Sequence, residues 1–294
     1  MKPRDTRPST GHDQHETPEA HDLGLSHDLP TLLNRRHAIG LLSVGGLAAA
    51  LAACSPSTGS SGPSGAPLSG APGGGGSGDV SQSEVGEGEI PEETNGPYPA
   101  DGTNGPNALT TTGVVRRDIT SSFGDSSGTA EGIPLTFSLT VVDVSGEGDA
   151  GTPVAGAAVY AWHCDRDGAY SMYDITDQNY LRGVQEADAD GKVTFTSIFP
   201  ACYPGRWPHI HFEVYPSLDD ATSATNRMRT SQLALPQDVS EAVYATEGYE
   251  QSVANLQDVS LDSDMVFSDG YTLQMARVSG SVSEGYTATL RVPV

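Results

Sequence analysis

The stretch YPGRWPHIHFEVY, Tyr203 to Tyr215, sets two histidines one residue apart, behind a Pro/Gly loop that carries a tyrosine and an arginine. Its second half, His209 to Tyr215, is rich in aromatic and β-branched residues and reads as a strand. Strand side chains alternate between faces, so His209 and His211 point the same way, about 6–7 Å apart along the chain. That separation suits two ligands of one ion. It also suits two polar residues on one side of a sheet, and His-x-His alone does not choose between them.

Outward from this strand the pattern stays all-β. Leu135, Phe137, Leu139 and Val141 alternate with Thr136, Ser138 and Thr140, a period of two. Near the C-terminus Tyr286, Ala288, Leu290 and Val292 alternate with Thr287, Thr289 and Arg291. Between them AAVYAWHC, GKVTFTSIF, HIHFEVY, SQLAL and YTLQMARV are separated by Gly, Asp, Pro and Ser clusters. Several short strands punctuated this way predict a β-sandwich with at most one or two short helices, one of them around Ser240 to Tyr244. About 200 residues suffice for one such core.

The N-terminal third has a different character. Asn34-Arg35-Arg36-His37 precedes the apolar run AIGLLSVGGLAAALAA and then Cys54. Paired arginines before a short apolar region resemble a twin-arginine export signal, and Leu51-Ala52-Ala53-Cys54 resembles a bacterial lipobox. Residues 1–53 are therefore expected to be a signal segment, with a lipid anchor at Cys54 and an extracytoplasmic, membrane-anchored protein. Simple cleavage at a nearby small residue is the alternative. His12, His15, His21, His27 and His37, five of the eight histidines, fall in that segment. Residues 54–93 are mostly Gly, Ser, Pro and Ala, the composition of a flexible tether. The formal charge is −23, from 15 basic and 38 acidic side chains. Such a balance argues against a nucleic-acid partner, which needs basic patches.

The stretch Val159 to Val214 resembles the intradiol ring-cleavage dioxygenases, the catechol, protocatechuate and hydroxyquinol dioxygenase superfamily. The resemblance is carried by W-x7-Y, L-R-G, Y-P-x-R-x-x-H-x-H and Q-L patterns, and TNGPYPADG and SQLALP extend it over most of residues 94–236. It implies that residues 94–294 form a catalytic β-sandwich with non-haem Fe(III) held by Tyr170, Tyr203, His209 and His211. It implies O2-dependent cleavage of a catechol-type ring between its hydroxylated carbons, giving a muconate-type diacid. In that scheme Tyr203 is displaced by substrate and accepts its proton, while Tyr170 stays bound. Arg206 stands beside the reacting ring, Gln232 supports it, and Trp162 and Tyr98 wall the substrate pocket. Residue chemistry agrees with the ligand set: a bound cation favours phenolate over phenol, and zinc more usually takes His with Cys or carboxylate.

Blander readings stand beside each of these. Tyr170 and Tyr203 could be half-buried aromatics, Arg206 a surface ion pair, and Trp162 and Tyr98 core residues. His163 neighbours Trp162 and should face the other side of its strand. A tethered binding module without dioxygenase activity is the rival function. The chain lacks the helical dimerisation segment of the catechol and hydroxyquinol enzymes, so their dimer is not implied and the oligomeric state is open. Only five residues separate Tyr203 from His209, which shortens one wall and leaves the choice of catechol open. Lipidation of Cys54 would leave Cys164 and Cys202 as an even pair in an oxidising compartment, so a Cys164–Cys202 disulfide is expected, against two buried thiols as the alternative.

Overall fold

Alternation along Leu135–Val141 produces a strand whose apolar residues are all buried, and the rest of the fold is laid around it. The structure, a computed structural model, describes residues 88–146 and 151–294. Among these the strands are, in chain order, β1 (Pro134–Asp143), β2 (Thr152–Pro153), β3 (Ala158–Trp162), β4 (Arg182–Glu186), β5 (Lys192–Ile198), β6 (His209–Tyr215), β7 (Arg229–Ala234), β8 (Arg277–Ser281) and β9 (Gly285–Pro293). Two short helices, α1 (Gln237–Tyr244) and α2 (Glu250–Gln257), lie between β7 and β8. No helix among the described residues is long and apolar enough to cross a membrane. The expected signal segment, most of the expected tether and Cys54 lie outside the described residues.

One sheet is built on β1, which pairs antiparallel with β2 and β5 and parallel with β9, while β8 flanks β9. The second runs β4-β3-β6-β7, antiparallel throughout. Leu135, Phe137, Leu139 and Val141 from the first sheet share one buried cluster with Val159, Ala161, Ile210, Phe212, Val214 and Leu233 from the second. Val243, Tyr244, Tyr249 and Leu256 bring both helices onto that core.

Every residue of β6 is buried, the polar ones included. Ile210, Phe212 and Val214 enter the core between the sheets, and His209, His211, Glu213 and Tyr215 point to the opposite face. That face is not open to water. It carries a second cluster in which Tyr160, Trp162, Val184 and Tyr215 pack against Ala100, Leu109, Phe123 and Tyr170 from the long loops. The all-β reading therefore holds, and the second sheet is covered on both sides.

Three boundaries differ from expectation. The strand expected over Tyr271–Val278 begins only at Arg277, because the Tyr271 carbonyl accepts from Gln274 N and Met275 N (both 2.9 Å) and closes a turn. The α1 helix starts three residues before Ser240. The folded part reaches back past Thr94: Ile90 is fully buried and donates to the Pro293 carbonyl, and Glu93 N–H donates to that of Thr230, each at 2.8 Å.

Candidate metal centre

Register places the site. Trp162 on β3 lies directly across from His211 on β6, and His211 directly across from Gln232 on β7. These three side chains form one row on the loop-covered face. His209 sits two residues along, on the same face.

Two loops bring the tyrosines to this row. After β3 the chain turns at Asp165, whose carboxylate accepts from the backbone of Asp167 (3.0 Å) and Ala169 (2.9 Å). Gly168 in this turn has φ +85°, a left-handed backbone that favours glycine, and a Cβ there would crowd Tyr203 Cβ at 3.2 Å, so the glycine eases the close approach of the two tyrosine loops. Tyr170 follows, its N–H held by Asp174 at 2.8 Å. The loop before β6 is pinned by α2: Ser252 Oγ accepts from Cys202 N (3.0 Å) and Asn255 donates to the Cys202 carbonyl (2.8 Å).

Four donor atoms converge. Tyr170 Oη is 3.4 Å from Tyr203 Oη, Tyr203 Oη is 3.2 Å from His209 Nε2, and His209 Nε2 is 3.1 Å from His211 Nε2. Atoms bound about 2 Å from one ion stand about 3 Å from each other. His209 Nδ1 donates to the Trp207 carbonyl, which fixes the tautomer and turns the Nε2 lone pair inward. Burial pushes the Tyr203 phenol up to about 12 and that of Tyr170 well above its ordinary range. Burial also holds both imidazoles well below theirs. Without a cation the four groups are thus neutral, and a cation would draw them into its service as anionic oxygen and neutral nitrogen donors. Among the described residues no group of three or more His, Cys, Asp or Glu side chains gathers to hold a metal, so the donor set depends on its tyrosines.

Arg206 is buried, not a surface ion pair. Its Nε donates to Asp264 at 2.9 Å and its Nη2 to Gln232 Oε1 at 2.5 Å, while Gln232 Nε2 donates to the Thr94 carbonyl at 3.1 Å. Burial works against its charge, but Tyr203, Asp264 and Tyr170 outweigh it and keep the guanidinium above the ordinary arginine range. Tyr98 is half-buried and packs against Tyr170 with its ring tilted by 32°, centroids 4.8 Å apart. Trp162 has no exposed surface and lies flat on His211, which is the core placement weighed beside the pocket wall that the resemblance implies. His163 turns away, as expected, bonding the Cys164 carbonyl and Ser197 Oγ, each at 2.7 Å.

The expected Cys164–Cys202 disulfide is not formed. Both cysteines are free and buried, their sulfurs turned to different carbonyls: Cys164 to Ala201 at 3.7 Å and Cys202 to Arg206 at 3.4 Å. Burial pushes the Cys202 thiol up to about 12 and keeps it unreactive.

Two residues that serve the site escaped the sequence reading. Asp264 is fully buried and accepts from Arg206, from Trp207 N (2.7 Å) and from Val266 N (2.8 Å). Nothing in its acidic, surface-like surroundings marks it. Arg182, the arginine of L-R-G, is buried and donates to the carbonyls of Tyr98 (3.0 Å), Pro99 (3.0 Å) and Ser171 (2.8 Å) and to Tyr160 Oη (3.1 Å). The non-glycine residues with left-handed backbone among those described are Ala100 (φ 49°), Met172 (φ 69°) and Leu181 (φ 57°), each next to an Arg182 contact or to Arg182 itself. Such strain persists where surrounding bonds over-determine it.

Residues 104–238 match the family model described as Dioxygenase. A segment of 74 residues is 42% identical to catechol 1,2-dioxygenase 1 of Acinetobacter lwoffii, covering 24% of this chain and 22% of that protein. Another of 109 residues is 30% identical to hydroxyquinol 1,2-dioxygenase of Corynebacterium glutamicum, covering 31% and 35%. Residues 104–238 are thus similar to the intradiol ring-cleavage dioxygenases. The likeness spans about a third or less of those two relatives. The fold is shared over more of the chain with a solved structure, the intradiol ring-cleavage dioxygenase from Tetranychus urticae, at 24% identity and a TM-score of 0.53 over 70% of this chain and 94% of that one.

Proposed function

We propose that this protein is an intradiol-type, non-haem Fe(III) dioxygenase that opens a catechol-type ring between its hydroxylated carbons, using O2, to a muconate-type diacid. The observation that carries this reading is the convergence of Tyr170, Tyr203, His209 and His211, their donor atoms 3.1–3.4 Å apart along the set. Bound there, Fe(III) would balance two phenolates and make a chelated catecholate ring reactive toward O2.

The chain's own groups divide the remaining work. Tyr170, fully buried and bonded through its backbone, is the fixed phenol. Tyr203 is less buried than Tyr170 and sits beside the exposed Pro204-Gly205 turn, which suits it to be the phenol that a catechol displaces and whose Oη takes the substrate's proton. Arg206, held by Asp264 and Gln232, presents a fixed positive charge toward negative charge that develops on the ring. Tyr98 offers an aromatic face at the rim. Export, tethering and a lipid anchor at Cys54 remain part of this proposal, supported by the paired arginines and the Leu51–Cys54 motif.

The test is colour, metal content and oxygen consumption together. Purified protein is expected to be reddish, to hold about one iron per chain, and to take up O2 with at least one of catechol, protocatechuate, hydroxyquinol or a larger lignin-like catechol. A colourless protein holding zinc, or none of these metals after iron loading, overturns the reading in favour of a binding module.

A further inference from the structure

The two histidines of the centre are held by different means. His209 has the common arrangement, its Nδ1–H donated to a backbone carbonyl. His211 does not: its Nδ1 is buried and has no hydrogen-bond partner. Its ring is gripped through its faces and edge instead. On one side the Trp162 indole lies almost parallel to it, interplanar angle 9° and centroids 4.9 Å apart. Beside it runs the backbone of Gly96, where a Cβ would stand 3.2 Å from His211 Cε1. The indole is itself backed by Tyr160, stacked at 4.9 Å and 21°, whose hydroxyl is bonded to Pro99 O (2.8 Å) and to Arg182 (3.1 Å). A column of three rings, fixed at its far end by a buried arginine, therefore ends on one candidate ligand.

We propose that Trp162, with the side-chain-free backbone of Gly96 as its counterpart, is the positioning residue that sets the ring plane of His211, in place of the hydrogen bond that sets His209. This rests on the metal-centre reading above. It reassigns Trp162 from a substrate wall to a support, since a side chain with no exposed surface and a ligand ring on its face has no face left for substrate. His209 and Tyr170 also pack around the ring, but no hydrogen bond holds its far nitrogen, so the Trp162 face and the Gly96 backbone set its plane where a carbonyl sets that of His209. Removing the aromatic face should free the ring, whereas replacing it by another flat ring should not.

The experiment loads Fe(III) into wild type, Trp162→Phe, Trp162→Leu and Gly96→Ala. It follows the visible phenolate-to-iron band and the rate of iron release to a chelator, with melting of the metal-free forms alongside. Loss of outer support for a ligand typically weakens metal binding by about 10–100-fold. Trp162→Leu is expected to release iron about tenfold faster or more and to shift the band, while Trp162→Phe stays close to wild type although both lose the indole volume. Gly96→Ala places a Cβ 3.2 Å from His211 Cε1 at a backbone φ of +74° that also strains alanine, so its band is read beside its melting and should shift in protein that remains folded. Wild type that holds iron, with Leu and Phe variants releasing it at one common rate, overturns the clamp alone. So does an unshifted band in Gly96→Ala, which decides the matter if Trp162→Leu does not fold. Wild type that takes up no iron overturns the metal-centre reading and the clamp together.

Discussion

Arg206 carries its charge where water cannot share it. Asp264 balances that charge and Gln232 aims it, so the guanidinium is fixed before any substrate arrives. A lysine keeps the charge but has no planar fork, and its single nitrogen cannot hold both partners in the same geometry. Arg206→Lys is expected to lower kcat/KM by about 100-fold, the scale of losing one oriented charge stabiliser, with iron content unchanged. Steady-state kinetics beside iron analysis checks it, and unaltered kinetics would leave Arg206 a purely structural role. At this scale the sequence shows much of the candidate site, because Tyr203, Arg206, His209 and His211 lie within nine residues and their spacing survives without knowledge of the fold. Asp264 does not show. It lies 58 residues from Arg206 and looks like its solvated acidic neighbours until the chain closes.

At the scale of elements, legibility follows which faces meet water. The β1 and β9 strands alternate cleanly and announce themselves, whereas β4, Arg-Gly-Val-Gln-Glu, buries its arginine and hides its period. Least legible is the segment Ile90–Asp101, which has no periodicity because its bonds run outward to many places. It reaches the Pro293 and Thr230 carbonyls, Gln232, His211 through Gly96, Tyr170 through Tyr98, and Arg182. A chain beginning at Gly102 would leave Arg182 without two of its carbonyl acceptors and Ile90's core position empty. Against a chain beginning at Gly88, it should lose on the order of 3 kcal/mol or more of stability. Denaturant unfolding of the two chains measures the difference, and equal midpoints would contradict the role given to this segment.

Over the whole molecule, the two sheets are joined by more than apolar contact. His163, just beyond β3, reaches Ser197 Oγ on β5, so one neutral imidazole bridges the layers. Burial lowers its pKa from 6.5 to about 4. A depressed pKa means the unfolded chain takes the proton first. The stability this group contributes is complete above pH 6.5 and is lost as pH falls toward 4, by about 3 kcal/mol. The unfolding free energies of wild type and His163→Gln should therefore converge between pH 7 and pH 4.5, and a gap independent of pH would refute the bridge. The segment over the candidate metal centre has a consequence of another kind, in time. Residues 90–101 leave the ribosome before every group that receives them, since Tyr160, Tyr173, Arg182, Thr230, Gln232 and Pro293 are all made later. Their bonds span 61 to 138 residues and more, so the wall that is synthesised first is seated late. Until it is seated, Gly96 is not yet beside His211 nor Tyr98 against Tyr170, so an ion bound by these donors would have its freest entry in that interval.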